Sequence, residues 1–304
     1  MQLKSGVKSF SNLLNQKNGS IKYWTIVLVA LLLIYGILIA LSPHKLVYDE
    51  IYYIDIARDL SRLGLSLKFI SEMDAPTGIL YAIMHGSASA MTDFKPPWIR
   101  TINFILGFGT CYLLFKTYAV VRSAINTNIA CVKSSGVALP AVWLAAPVTG
   151  VIMCMALTEL SAIFFSLLGT CLLVIFSAKP SNRRFDFILP LLAGISYGLS
   201  IWGRQNFIIV SILSVILLLP LNPSKIRSYF IVLGISALFF FIPVMIWGGL
   251  VPPSVDFVGK GLKFSSLVFS LYYLVAVLFI ATPSVLSQRY ESKDAESFPR
   301  SNPP

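Results

Sequence analysis

Charge is scarce in this sequence. Of its 304 residues only 12% are Asp, Glu, Lys or Arg, against 56% hydrophobic, and the mean hydropathy is +0.79. A soluble domain carries roughly a quarter of its residues as charges, so the shortage excludes an ordinary water-soluble fold. Histidine is scarcer still: His44 and His85 are the two, far apart, which makes a zinc site a poor reading. Four cysteines, Cys111, Cys131, Cys154 and Cys171, sit in or beside apolar runs with no CxxC spacing, the pattern of buried free thiols. The first apolar run, 23–41, has no small-residue cleavage site and follows a polar leader that ends at Lys22, so it reads as a retained helix and not a signal peptide. No basic run forms a nucleic-acid stripe. The net charge of +11 is better explained by Lys and Arg gathering on the cytoplasmic side of a membrane protein.

Long apolar runs, by contrast, are plentiful. A crossing of the hydrocarbon core takes about 20 mostly apolar residues, and on that length the chain reads as about eight spans: 23–41, 98–121, 136–153, 157–177, 186–203, 206–221, 228–250 and 264–286. The blocks 136–177 and 187–221 are each too long for one helix and must turn back. Each holds one charge near its middle, Glu159 in the first and Arg204 in the second, and a charge in hydrocarbon is costly unless the turn brings it to the membrane face. With the N-terminus inside, most of the 24 basic residues fall on the inner side and most of the 13 acidic ones outside. The expected fold is therefore all-α, a multi-pass transmembrane helical bundle. It has a cytoplasmic N-terminal segment 1–22, a membrane domain 23–286 and a disordered cytoplasmic tail 287–304.

One outer segment is long, 43–97, and it carries helical periodicity. Over 48–64, Asp55, Arg58, Asp59 and Arg62 share one face, Ile51, Ile54, Ile56, Leu60 and Leu63 supply apolar surface, and Gly64 is a stop signal. A second helix is expected over 76–91, so two amphipathic juxtamembrane helices should lie on the outer leaflet.

The polar residues that remain cluster on that outer side. Asp49 and Glu50 can bind a cation or act as a general base, or can simply favour the dipole of a helix start. Asp74, shortly before Pro76, reads equally as a helix cap. Arg204, Gln205 and Asn206 form a polar trio at a hydrophobic hairpin, and the guanidinium fork of Arg204 matches a phosphate. Arg204 can also pair with Glu159, itself an acid at a helix start. Lys260 and Lys263, also outside, suit lipid headgroups or a phosphate.

In that order these residues resemble the GT-C superfamily, the integral-membrane glycosyltransferases that use polyprenyl-phosphate-linked sugars. The stretches that carry the resemblance are Tyr48-Asp49-Glu50-Ile51-Tyr52 after the first span, Asp74-Ala75-Pro76-Thr77-Gly78-Ile79-Leu80-Tyr81, and Leu157-Thr158-Glu159-Leu160. The stretch Trp202-Gly203-Arg204-Gln205-Asn206 is similar to the Arg-Gln-Thr-Asn region of the dolichyl-phosphate-glucose-dependent α-1,2-glucosyltransferases, where Pro-Pro-Gly stands in place of Pro76-Thr77-Gly78.

The resemblance implies an inverting glycosyltransferase acting on the non-cytoplasmic face. Asp49 would be the general base, with Glu50 and Glu159 completing the catalytic carboxylates. Asp74, Arg204, Gln205, Lys260 and Lys263 would bind the substrate and its phosphate. A Mg²⁺ or Mn²⁺ ion on Asp49 and Glu159 is compatible with carboxylate ligands but not required. The implied partners are a polyprenyl-phosphate-linked sugar, a glycan, lipid or protein acceptor, membrane lipid and a larger membrane partner. A bacterial cytoplasmic membrane is preferred over the endoplasmic reticulum. A lipid or small-molecule transporter or flippase, and a non-catalytic subunit of a glycan-assembly complex, are the rival expectations. Transporters, however, place their polar residues near the midplane in paired, interrupted helices.

Overall fold

The computed structural model describes residues 3–43, 45–46, 49–75, 77–125, 129–178, 185–221, 223–249 and 252–253, all within one compact unit. The expected span 264–286 and the candidates Lys260 and Lys263 lie outside the described residues, as do His44, Tyr48 and Pro76.

The chain is an all-α, multi-pass membrane bundle. In order come α1 (Leu3–Ala40), α2 (Asp49–Leu63), α3 (Leu67–Ser71), α4 (Ile79–Ser87), α5 (Ser89–Thr92) and α6 (Trp98–Ile125). They are followed by α7 (Ile129–Ala145), α8 (Pro147–Cys154), α9 (Thr158–Ala178), α10 (Phe185–Gly203), α11 (Ile208–Leu218) and α12 (Ile226–Trp247). Among the described residues five segments are long and apolar enough to cross a membrane: Ile21–Ala40, Trp98–Val121, Thr158–Ala178, Phe185–Gly203 and Pro223–Trp247. Their outer faces leave large apolar side chains uncovered, such as Leu33, Phe230 and Met245, which lipid would cover.

Among the described residues the expected tally of eight spans is not clearly reached. The pair Gly136–Ala145 and Pro147–Cys154 makes a sixth span if counted as one, but it bends by 77° at Ala146. Pro147 explains the bend. Its ring disfavours helical backbone at the preceding residue, and Ala146 is extended at φ −68°, ψ 127°, while Pro147 itself starts α8 comfortably. The expected span 206–221 is shorter than required: Gln205–Leu218 is an apolar helix of sub-spanning length, ended by 3-10 turns around Pro220 and Pro223.

In the first loop α2 covers nearly the expected range and stops at Gly64, whose N–H still bonds the Leu60 carbonyl at 2.8 Å while its positive φ of 65° turns the following chain out of the helix. The second expected helix begins later. Gly78 has φ 109°, which helical backbone cannot accommodate, so α4 starts at Ile79 and a short α5 follows. An unexpected turn of helix, α3, precedes it, capped by the Ser66 hydroxyl accepting from the Phe69 N–H at 3.2 Å. These helices pack against one another. Ile54, Ile56, Ala57 and Leu60 from α2, Phe69 and Ile70 from α3, and Ile79 and Ala82 from α4 share one core, which also takes in Trp247 at the end of α12. The charged face of α2 points away from that core, with Arg58 donating to Asp55 at 2.7 Å and Arg62 3.9 Å from Asp59.

Two ends of the bundle follow from these contacts. At one, the ends of α6, α8, α9, α10 and α12 meet the loop helices; the Trp247 indole N–H, for example, donates to the Ile70 carbonyl at 2.7 Å. At the other, the buried Lys225 ammonium donates to the Phe176 carbonyl at 2.8 Å and lies 3.9 Å from Asp186.

Candidate functional site

The loop-helix end is built around a buried ion pair. Glu50 lies in the first turn of α2, and its carboxylate accepts from the Arg100 guanidinium in a two-pronged arrangement, Nε at 2.8 Å and Nη2 at 2.6 Å. Arg100 also donates to the carbonyls of Pro43 and Lys45, both at 3.0 Å, and so holds the segment that joins α1 to α2. On its other side Glu50 accepts the backbone N–H of Ala156 at 2.7 Å. Ala156 lies in the break between α8 and α9, where helix-end backbone groups need partners. The Asn103 side-chain amide supplies others, donating to the carbonyls of Met155 at 2.7 Å and Leu157 at 3.1 Å. A break of this kind is tolerated in a membrane protein when its polar groups are satisfied within the protein, as here.

This frame sets the position of the neighbouring residue. Asp49 is exposed while Glu50 is fully buried, because adjacent positions on a helix point about 100° apart. The carboxylate of Asp49 is therefore available to a ligand at the end of the bundle, and that of Glu50 is committed to structure.

A second, partly open ion pair stands at the same end. Arg204 follows α10 in extended conformation, at φ −150°, ψ 113°, before a 3-10 turn over Gln205–Phe207. Its Nη2 donates to the Glu159 carboxylate, in the first turn of α9. The two side chains are 33% and 36% exposed. The Arg204 Nε is shielded from solvent and has no hydrogen-bond partner, while the guanidinium as a whole stays partly open at the end of the bundle. The approach of α10 to α9 and α4 depends on Gly203, where a Cβ would lie 3.0 Å from that of Ala162 and 3.3 Å from Leu80 Cδ2. Ser200 Oγ donates to the Ala162 carbonyl at 2.7 Å and secures the same contact.

Helix α4 stands between the two pairs. A Cβ on Gly78 would meet the Tyr53 ring at 3.2 Å and the Thr158 methyl at 3.9 Å, so the glycine brings the start of α4 against both α2 and α9. Tyr53 and Thr77 exchange a hydrogen bond at 3.2 Å. Deeper on α4, Tyr81 and His85 are buried with ring centroids 4.1 Å apart. Burial pushes the His85 imidazole down to about 4, against smaller opposing effects of Asn103 and the Glu50 charge. Burial likewise raises the Tyr81 phenol well above its usual value, with the charge on Glu50 adding to the rise.

Of the residues singled out in the sequence, the structure joins Glu159 to Arg204 and sets Asp49 beside the Glu50 frame. Asp74 is exposed, and its backbone carbonyl, not its carboxylate, accepts from the Tyr52 hydroxyl. Gln205 is half-buried in the turn after Arg204, and it lines a small cleft with Trp202 and Phe239. Sequence reading missed Arg100, Asn103 and His85. Arg100 carried a usable signal, since a charge in the first turn of an apolar run needs a partner. Among the described residues no three His, Cys, Asp or Glu side chains gather into a metal-ligand set, and Glu159 already faces the Arg204 cation. Cys111, Cys154 and Cys171 are free thiols.

Comparison with protein-family models, with curated proteins and with solved structures finds no match to this chain.

Proposed function

We propose that this chain is a membrane glycosyltransferase that moves a sugar from a polyprenyl-phosphate donor to an acceptor hydroxyl, with inversion at the anomeric carbon. The observation that carries the reading is the pairing, at one end of the bundle, of an exposed carboxylate on a rigid frame with a partly exposed arginine: Asp49 beside Glu50–Arg100, and Arg204 beside Glu159. The first can take a proton from a hydroxyl, and the second can receive a phosphate. Both belong to the stretches through which the sequence resembles the GT-C glycosyltransferases.

In this reading Asp49 accepts the proton of the acceptor hydroxyl as its oxygen attacks the anomeric carbon. The bond from that carbon to the phosphate oxygen breaks, and its electron pair leaves with the lipid phosphate. Arg204 stabilises the charge that grows there, through donors that Glu159 holds in orientation. Glu50 acts as a positioning residue, through Arg100 and the Ala156 N–H. Asp74 and Gln205 border the acceptor and donor, and Lys260 and Lys263 remain further candidates for the phosphate. No step here needs a metal; a Mg²⁺ or Mn²⁺ ion on Asp49 and Glu159 would compete with Arg204 for the second carboxylate. The polyprenyl chain lies in hydrocarbon while its phosphate sits at the interface, which a site made of helix ends accommodates. The charge bias of the sequence places this end on the non-cytoplasmic face, of a bacterial cytoplasmic membrane in the preferred reading.

The test is a donor panel on the purified full-length chain in lipid, offering polyprenyl-phosphate-linked glucose, mannose and arabinose. Consumption of one donor with formation of an inverted glycoside supports the reading. Intact donors, with polyprenyl phosphate still bound, would shift the assignment to a transporter or to a non-catalytic subunit.

A further inference from the structure

A different surface, at the far end of the bundle from Arg204, has the makings of a lipid site. Between α1, α6 and α7 runs a groove of about 280 Å³ whose walls are almost wholly apolar. Its α6 wall is the stripe Phe108, Cys111, Tyr112 and Phe115, spaced as i, i+3, i+4 and i+7 on one helical face. Leu28 and Leu32 face it from α1, and Pro140 closes it on α7. All three walls belong to segments with the composition of membrane spans, so the groove opens onto hydrocarbon and not onto water.

The stripe on α6 ends in a charge. Lys116 continues it at i+8, is exposed, and holds its ammonium 5.5 Å from the centre of the Tyr112 ring. On α1 the exposed Lys22 lies one turn before Thr25, which also lines the groove. An apolar groove therefore has cations at one end and none along its walls. At 1.5 Å per residue, Lys116 lies about 24 Å along α6 from Arg100, close to the full thickness of the hydrocarbon core. These lysines accordingly serve the leaflet opposite to the Arg204 site.

We infer that this groove binds one anionic phospholipid of that leaflet, with an acyl chain against the α6 stripe and the phosphate between Lys116 and Lys22. Size favours a chain over a helix from a second copy, because a helix with its side chains is about 10–12 Å across and does not enter a slot of this volume. Charge favours an anionic headgroup over a zwitterionic one, since juxtamembrane lysines attract acidic lipids. The inference does not rest on the glycosyltransferase reading, since the groove lies away from the proposed reaction centre.

The experiment is native mass spectrometry of the full-length chain in detergent, titrated separately with phosphatidylglycerol and phosphatidylcholine. One molecule of phosphatidylglycerol should bind ahead of phosphatidylcholine. Lys116→Ala should weaken it about fivefold, the scale of one lysine at an acidic membrane surface. Thr25→Trp, which fills the groove from an exposed position, should abolish it while leaving the thermal midpoint unchanged. Equal affinity for the two lipids, unchanged phosphatidylglycerol binding in Lys116→Ala, or a dimer whose formation displaces the lipid would each overturn the inference. Should Thr25→Trp fail to fold, the lipid preference and the Lys116→Ala titration decide the matter alone.

Discussion

The Glu50 carboxylate and the Arg100 guanidinium meet through two hydrogen bonds, at 2.8 and 2.6 Å, with side chains 0% and 2% exposed and 50 residues apart in sequence. A pair so deeply buried holds the loop helices to the membrane bundle, since Glu50 also receives the Ala156 N–H and Arg100 also holds two carbonyls of the α1–α2 connection.

Glu50→Ala strands the guanidinium without its counter-charge. Breaking one side of a buried pair costs about 3–5 kcal/mol, so the variant should show a clearly lower thermal midpoint in detergent and faster proteolysis of the first loop. An unchanged midpoint would show that the pair is not structural.

Gly78→Ala places a Cβ at φ 109° and within 3.2 Å of the Tyr53 ring. The left-handed backbone alone costs about 1–2 kcal/mol for a residue with a Cβ. A fall in the thermal midpoint with little effect on α2 helicity is expected, and circular dichroism melts compare the two.

His85 gives the fold a pH dependence of known sign. Its imidazole titrates at about 4 when folded and at 6.5 in the reference state, so the unfolded chain binds the extra proton between those values. Stability from the neutral ring is complete above 6.5 and is lost as the pH falls from 6.5 through 4. Thermal midpoints across that window should decline for the wild type and flatten in His85→Phe, which keeps a ring against Tyr81.

Arg204→Ala should remove sugar transfer almost entirely and leave stability nearly intact. Its pair with Glu159 is about one-third exposed, and such pairs are worth about 1 kcal/mol or less. Transfer rate and thermal midpoint measured on one preparation separate the two effects; a large drop in midpoint would assign Arg204 to the scaffold.

Much of this architecture can be read in the sequence because a few residues admit only one structural answer. Gly64 ends α2, and the long apolar blocks break near Glu159 and Arg204 because a charge cannot remain in mid-membrane. The pairing of those two charges was one of two open readings. Other features depend on contacts that no local pattern encodes. The 77° bend at Ala146 falls inside an apolar run, where hydropathy is blind to backbone direction, although Pro147 marks it in retrospect. The late start of α4 follows from the positive φ of Gly78, which Pro76 two residues earlier concealed. The charge of Arg100 in the first turn of an apolar run calls for a partner, but which one is not legible locally, because Glu50 lies 50 residues away in another helix. Asp49 kept its two readings, helix-start acid or general base, and its exposure beside a buried neighbour is compatible with both.

The most direct test of the central claim is sugar transfer by Asp49→Asn, against the wild type, in the same lipid and with the same polyprenyl-phosphate donor. Asparagine keeps the shape of the side chain but cannot take the acceptor proton at neutral pH. The account predicts a loss of at least about a hundredfold in turnover, the low end for a general base, with donor binding and thermal midpoint unchanged. Turnover equal to that of the wild type would contradict it.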